Sequence, residues 1–386
     1  LDVSGFFLKT RASKRVSIFV LKCNDVTNDY TRKIFCFLIL FFYFFDNCLS
    51  AQGTVIHKLV SNRFTVDIYL PAGYNLHNTY KTIYFNDGEQ LFESRLGMRL
   101  DLLLDSLISK KITEPVIAVA INSKGNRLSL YTPYTDDWIN QNWGNYVPGS
   151  VEYTQGIKNE LVPFMEKEYA VDKRSTGRAM AGFSLGGLHA TWAGIKYPEL
   201  FGFSIAMSPS YWVANQALFK EPITKTTGNR FWFDMGTGEW DYYVSFYKQL
   251  QEAGYQAGLD CFYYEVKNEL HNIDAWARRI QFPLIAFAGT DTSLAPLKME
   301  VLAECIPSVQ KMGTTYRRLN AIVTLKNGIR YSLSNTADYK LIKGDIELYD
   351  DGTIIAGDEK KAEIAVTYRD FYQLVKIRLA NCELIK

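Results

Sequence analysis

Between residues 54 and 290 the chain alternates two textures. "RFTVDIYLP" switches apolar and polar residues one by one and stops at Pro71, the pattern of an outer strand with one face on a core. "KTIYFND" and "VIAVAIN" are short apolar runs, and the second is pure enough to predict burial on both faces. "RAMAGF", "FGFSIAMSP", "RFWFDMG" and "DCFYYEV" repeat that form. Between them, "LGMRLDLLLDSLISK", "GIKNELVPFMEKEY", "LHATWAGIKY", "YYVSFYKQLQEAG" and "AWARRIQFPLIAFAG" carry apolar residues at helical spacing. Strands alternating with helices predict βαβ units and a mostly parallel sheet. From about Pro296 the helical period is gone. "LNAIVTLKNGIRYSL", "YKLIKGDIELYDDGTIIAG" and "KKAEIAVTYRDFYQLVKIRL" alternate in short segments, with Asn327-Gly328 and Asp351-Gly352 as hairpin turns. The expected organisation is an α/β domain over 52–290 and a small all-β sandwich over 291–386, joined by the polar, proline-ended "GTDTSLAP".

The first 51 residues have a different plan. Arg32 and Lys33 precede a run of twelve apolar residues, Ile34 to Phe45, and small residues follow around Ser50 and Ala51. That is the layout of a secretory signal peptide with cleavage near Ala51 or Gln52, too short to span a bilayer. The expectation is an exported protein, periplasmic or extracellular, without stable membrane insertion once the leader is removed. Residues 1–31 begin on Leu1 and contain no Met, and read as upstream sequence outside that plan.

Charge and composition narrow the function classes. A net charge of +2 and 22% charged residues give no basic excess for nucleic acid. Aromatic residues reach 15%, enough for sheet packing and also for an aromatic-lined cleft. Of the six cysteines, Cys261, Cys305 and Cys382 lie beyond the leader. No Cys/His cluster has zinc spacing and no Gly-rich loop ends in Lys-Ser/Thr, so no metal or cofactor is expected.

Candidate chemistry starts at "MAGFSLGGLHA". Gly182-Phe183-Ser184-Leu185-Gly186 follows a predicted strand and opens a helical pattern, the context in which Gly-x-Ser-x-Gly forms a strained nucleophile elbow. A serine hydroxyl needs a base, and the base an orienting acid. Four histidines are available. His57 and His77 lie early in the chain and read as surface residues, and His189 falls on the elbow helix, facing the helix–sheet packing. The chain order nucleophile, acid, histidine leaves His271, in "NELHNIDAW", as the base. The acid should follow the strand "RFWFDMG". Glu239 and Asp241 both stand there; Glu239 is preferred, and Asp241 also suits a helix N-cap or first turn. An oxyanion would take the backbone N–H of Leu185 and a second donor from Gly88 or Glu89, in the loop "YFNDGEQLF". Gly88 is read as letting the backbone come close to substrate. In "YTDDWINQNWGNYVPGS", an apparent flap, Trp138, Trp143 and Tyr146 serve either to stack on a sugar or aryl acid or to fasten the flap to the body.

The pieces "YFNDGEQLF", "GNRLSLYTP", "ELVPFMEKEY", "GFSLGG", "SPSYW", "GTGE" and "HNIDAW" occur in one order over roughly residues 55–290. They resemble the esterase D-like branch of α/β-hydrolases, which includes enterochelin esterases, feruloyl and acetylxylan esterases, S-formylglutathione hydrolases and mycolyltransferases. The resemblance is greatest to enterochelin-esterase-like proteins and family-one carbohydrate esterases. It implies an α/β-hydrolase fold, Ser184 as nucleophile, Glu239 as acid, His271 as base, and Trp212 beside the cleft. The β module resembles bacterial Ig-like domains of group 2, on "DDGTIIAG" and the alternating last strand. In such sandwiches first and last strands often neighbour, which implies a Cys305–Cys382 bridge and leaves Cys261 a free thiol. The implied activity is hydrolysis of carboxylic esters through an acyl-enzyme, on acyl or feruloyl esters of polysaccharide. A siderophore trilactone is the alternative substrate, and a non-catalytic glycan-binding protein the alternative of another class.

Overall fold

The computed structural model describes residues 52–92, 97–237, 239, 243–307, 315–356, 361–380 and 383–384. The expected leader, residues 1–51, lies outside the described residues. Eight strands form the first sheet: β1 Thr54–Val60, β2 Phe64–Leu70, β3 Lys81–Phe85, β4 Val116–Ile121, β5 Arg178–Phe183, β6 Phe203–Met207, β7 Arg230–Gly236 and β8 Cys261–Val266. Their order is β1-β2-β4-β3-β5-β6-β7-β8. The β1–β2 and β2–β4 pairs are antiparallel and all others parallel, as the sequence pattern predicts. The alternating strand "FTVDIYL" lies on the antiparallel side, while "VIAVAI" and "RAMAGF" are buried at every position.

Burial on both faces follows from two apolar layers. On one face Ile83, Phe85, Ala118 and Ala120 join Leu104, Leu107, Ile285 and Phe287. On the other, Tyr84, Ile117 and Val119 join Leu161, Met165, Leu188 and Trp192. Two predicted helices are interrupted for the same physical reason. "GIKNELVPFMEKEY" contains a π-type turn, Ile157–Leu161, before the helix Val162–Glu168, and "AWARRIQFPLIAFAG" divides into Ile273–Arg279 and Gln281–Ala288. Pro163 and Pro283 lack the N–H that a continuous α-helix would bond at those positions.

The remaining strands build two antiparallel sheets, as the second texture predicts. One contains β9 Pro296–Pro307, β10 Thr315–Leu325, β11 Arg330–Ser332, β13 Ile346–Leu348 and β14 Thr353–Ala356. The other runs β12 Asp338–Lys343, β15 Lys361–Tyr368, β16 Phe371–Arg378 and β17 Glu383–Leu384. Gly328 at φ 89° and Gly352 at φ 84° occupy the two expected hairpin turns. Leu319, Ala321 and Ile354 meet Ile364, Val366 and Ile377 between the sheets, and this layer continues into the hydrolase core. The seam is specific: Glu265 N–H donates to Ser332 Oγ at 3.0 Å, Asn320 Nδ2 donates to the Glu265 carbonyl at 3.2 Å, and Arg318 pairs with the Glu265 carboxylate. Cys305 is disulfide-bonded and Cys261 is a buried free thiol; Cys382 lies outside the described residues. No helix among the described residues is long and apolar enough to cross a membrane.

Candidate active site

Ser184 stands where β5 ends and the helix Leu185–Lys196 begins. Its backbone is at φ 56°, ψ −119°, a region an L-residue occupies only under constraint. The constraint is the tight crossing of strand and helix. A Cβ on Gly182 would lie 2.3 Å from the Gly186 carbonyl, and one on Gly186 would lie 2.6 Å from Asp87 Oδ2. Gly182 is therefore demanded by backbone contact, and Gly186 by the Asn86 and Asp87 side chains packed against it. Ser184 is half-buried, and its Oγ lies 3.1 Å from Ser210 Oγ.

His271 follows β8, and Glu239 follows β7. His271 Nδ1 lies 2.9 Å from Glu239 Oε2; the histidine side chain is 46% exposed and the carboxylate 4%. Burial works against ionisation of Glu239, but hydrogen bonds from His271 and the Gly236 N–H, together with the Arg279 charge, hold its carboxyl below the usual range. An ionised Glu239 accepts from Nδ1–H and leaves His271 Nε2 for another partner. Asp241, the other candidate acid, lies outside the described residues. The remaining histidines do other work. His57 pairs with Asp67 at the surface and His77 is exposed. His189 is fully buried, and desolvation lowers its pKa to about 3, so it is a neutral ring. It bonds Asn86 Nδ2 at 3.1 Å and Thr154 Oγ1 at 2.9 Å.

Leu185 is the first residue of its helix and Gly88 the first of the 3-10 turn Gly88–Gln90. N–H groups at such positions have no carbonyl within their own helix and point outward as donors. The two loops are stitched together: Asn86 Nδ2 donates to the Gly186 carbonyl at 2.9 Å, and Tyr153 OH donates to Asn86 Oδ1 at 3.0 Å. Asp87, at φ 56°, ψ 41°, is held by Arg127 at 3.0 Å and gives its N–H to Tyr131 OH. Burial raises the Asp87 carboxyl against the pull of Arg127. The structure adds a reason for Gly88: a Cβ there would lie 2.5 Å from the backbone of Ala120, on β4. The Glu89 carboxylate accepts from Ser123 N and Oγ.

The flap aromatics form one group. Trp138, Trp143 and Trp212 meet edge to face, with ring centroids 5.3, 5.5 and 5.7 Å apart. These spacings are contact distances, so the rings fasten one another; Trp138 and Trp143 still remain 52% and 49% exposed. Asp136 adds a second tie, accepting from Ile139 N and from Ala214 N. Tyr146 OH donates to the Tyr134 carbonyl. Among the described residues no group of His, Cys, Asp or Glu has metal-site geometry.

A mostly parallel sheet with a strained serine after its central strand and a His–carboxylate pair after its last two is the architecture of an α/β-hydrolase. The chain belongs to the Putative esterase family, whose model matches residues 58–278. An uncharacterised Bacillus subtilis protein, YbbA, is 31% identical over 42% of this chain and 62% of its own length. The endo-1,4-beta-xylanase/feruloyl esterase of Xylanibacter ruminicola is 25% identical over 36% of this chain and 18% of its own length. A crystal structure of the Shigella flexneri enterobactin esterase is similar at TM-score 0.49 and 19% identity, covering 61% of this chain and 58% of the other. The chain spans 62% and 58% of the first two curated relatives it matches.

Proposed function

We propose that this protein is an exported serine ester hydrolase working through an acyl-enzyme. The observation that carries the reading is the His271–Glu239 pair at 2.9 Å, in the loops that follow β8 and β7, at the carboxyl end of the parallel strands where Ser184 occupies its elbow after β5. Ser184 Oγ attacks the ester carbonyl and passes its proton to His271 Nε2. Glu239 holds the ring tautomer and stabilises the imidazolium. The N–H groups of Leu185 and of Gly88 or Glu89 receive the oxyanion. His271 returns the proton to the departing alcohol, and water then repeats the sequence on the acyl-enzyme.

The proposed substrates are acyl or feruloyl esters carried on polysaccharide. The half-exposed faces of Trp138 and Trp143, packed on Trp212, suit a planar or sugar-like group, and Tyr146 of the same flap is the further proposed contact. The feruloyl esterase name of the Xylanibacter relative supports this class. The apolar run behind Arg32 and Lys33 supports export.

Active-site labelling with a fluorophosphonate, then turnover of p-nitrophenyl acetate, methyl ferulate, acetylated xylan and enterobactin, tests the reading. Labelling at Ser184 with feruloyl or acetyl turnover is expected. Preference for enterobactin would move the substrate to siderophore trilactones. A protein that neither labels nor turns over any ester would be a glycan-binding member of the fold.

A further inference from the structure

Behind Glu239 lies a buried polar cluster with no part in the steps above. Ser208 follows β6 with φ 44° and is fully buried. Its Oγ lies 2.9 Å from Trp276 Nε1, 2.6 Å from Arg279 Nη2 and 2.7 Å from Glu239 Oε1. Indole and guanidinium nitrogens donate and cannot accept. Those two donors occupy the hydroxyl's lone pairs, so its single proton has one destination, Glu239 Oε1. The same oxygen accepts the Gly236 N–H at 2.8 Å, and Arg279 Nη2 stands 3.6 Å away. Oε1 is thereby saturated, and Oε2 is the oxygen left for His271.

Arg279 is anchored in turn. Its Nε lies 3.0 Å from Asp234 Oδ1, and Trp232 Nε1 donates to Asp234 Oδ2 at 2.9 Å. The Arg279 side chain is 2% exposed and that of Asp234 fully buried. Neighbouring Arg278 turns outward to Glu269 instead. Tyr243 and Glu269 also face Glu239, and Tyr243, Tyr211 and Tyr264 face Asp234; Tyr243 gives its hydroxyl to the Pro209 carbonyl.

We propose that Ser208 and Arg279 are positioning residues: a one-way donor relay, from Trp276 and Arg279 through Ser208 to Glu239, fixes the carboxylate with Oε2 toward His271 and keeps it ionised. The inference rests on the Ser184–His271–Glu239 reading. Within the cluster, burial prevails at Asp234 and pushes it up to about 6, whereas Glu239 stays below the usual range, so the donors are concentrated on the acid that faces the histidine.

The test is the pH profile of kcat/KM on p-nitrophenyl acetate for Arg279→Met, Arg279→Lys and Ser208→Ala, normalised to sites titrated by fluorophosphonate. Arg279→Met is expected to lower kcat roughly 10²-fold with little change in KM, as for a displaced catalytic group. Removing the cation favours protonation of the Glu239–His271 pair, so the acidic limb should move up by about one pH unit. Lys should restore part of both, and Ser208→Ala should shift the limb in the same direction. A profile that keeps its wild-type limb, with full activity per titrated site, overturns the proposal. Should Arg279→Met fail to fold, Ser208→Ala decides by the same limb. Failure of the underlying triad is separable: it appears as activity surviving Ser184→Ala.

Discussion

Glu304 is a buried acid in the seam between the hydrolase sheet and the β sandwich. It lies on β9, 3% exposed, in register with Arg318 on β10, and Arg318 also pairs with Glu265 on β8. Two buried carboxyls thus face one guanidinium. Burial first, and then the like charge of Glu265, push Glu304 up from 4.5 to about 8. In the folded state it keeps a proton that the unfolded chain releases near its ordinary value. The stability linked to that proton is fully present below pH 4.5 and is lost as pH rises through about 8. At 1.36 kcal/mol per pH unit, such a window amounts to several kcal/mol, shared by the Glu304–Glu265 pair. Glu304→Gln keeps the shape and the neutral state while removing the titration. Urea unfolding of both proteins at pH 5, 6, 7, 8 and 9 gives the difference in unfolding free energy, cancelling the slopes of groups that do not interact with Glu304. The variant is expected to match the wild type within about 1 kcal/mol at pH 5 and to exceed it by several kcal/mol at pH 9. Parallel stability curves for the two proteins would refute the reasoning, because they would mean that Glu304 is ionised in the fold at neutral pH.

Ser184→Ala should abolish turnover and fluorophosphonate labelling with an unchanged melting transition, since its short side chain sits half-buried at the elbow; retained activity ends the assignment. Glu239→Gln should cost on the order of 10⁴-fold in kcat, as loss of a triad acid does, and more than Asp241→Asn. If Asp241→Asn is the worse variant, the acid is misassigned. We also propose that residues 52–290 and 291–386 are separate domains sharing the seam at Glu265: a chain cut after Thr290 uncovers that seam and should melt earlier, while its folded fraction should keep its kcat/KM on p-nitrophenyl acetate and lose performance on insoluble polymer, where a tethered module raises effective concentration. A truncated enzyme inactive on the small ester would show that the β sandwich shapes the cleft.

The sheet, the elbow and the His–Glu pair were legible because each leaves a local trace. Period-two and unbroken apolar runs mark strands, and a serine between glycines before a helical pattern marks a turn that side chains would block. His271 was reached through chain order, and it does stand beside Glu239. The positioning cluster left a fainter mark. Arg278 and Arg279 look alike in sequence, yet one is exposed and the other buried. Helical geometry held the signal: residue 279 lies three positions from Trp276, on the buried face with Ile280 close by. The contact of Gly88 with β4 was not legible because sequence does not show which strand lies beneath a loop. The seam was illegible for a different reason. Glu265 and Arg318 are 53 residues apart, and a charged residue in an alternating strand ordinarily faces water.

Of the arginine–carboxylate contacts among the described residues, those at three places hold carboxylate side chains exposed 4% or less, and their common position explains them better than stability does. Arg127 holds Asp87 just after β3, Arg279 holds Asp234 on β7 with Glu239 beyond it, and Arg318 holds Glu265 on β8. Desolvating such charges offsets much of their attraction, so packed apolar residues would serve stability about as well. What an apolar contact does not supply is direction. A guanidinium presents donors in a rigid fork, and it fixes the orientation of a carboxylate and of the backbone that bears it. Asp87 is strained at positive φ, and its loop carries the Gly88 N–H; Glu239 must turn one named oxygen to His271. At both places the proposed chemistry depends on orientation within a few tenths of an ångström, which loops beyond strand ends do not hold unaided. At the third, the same kind of contact registers the β sandwich on the last strand of the sheet, one strand from the β7 that carries Asp234 toward the acid.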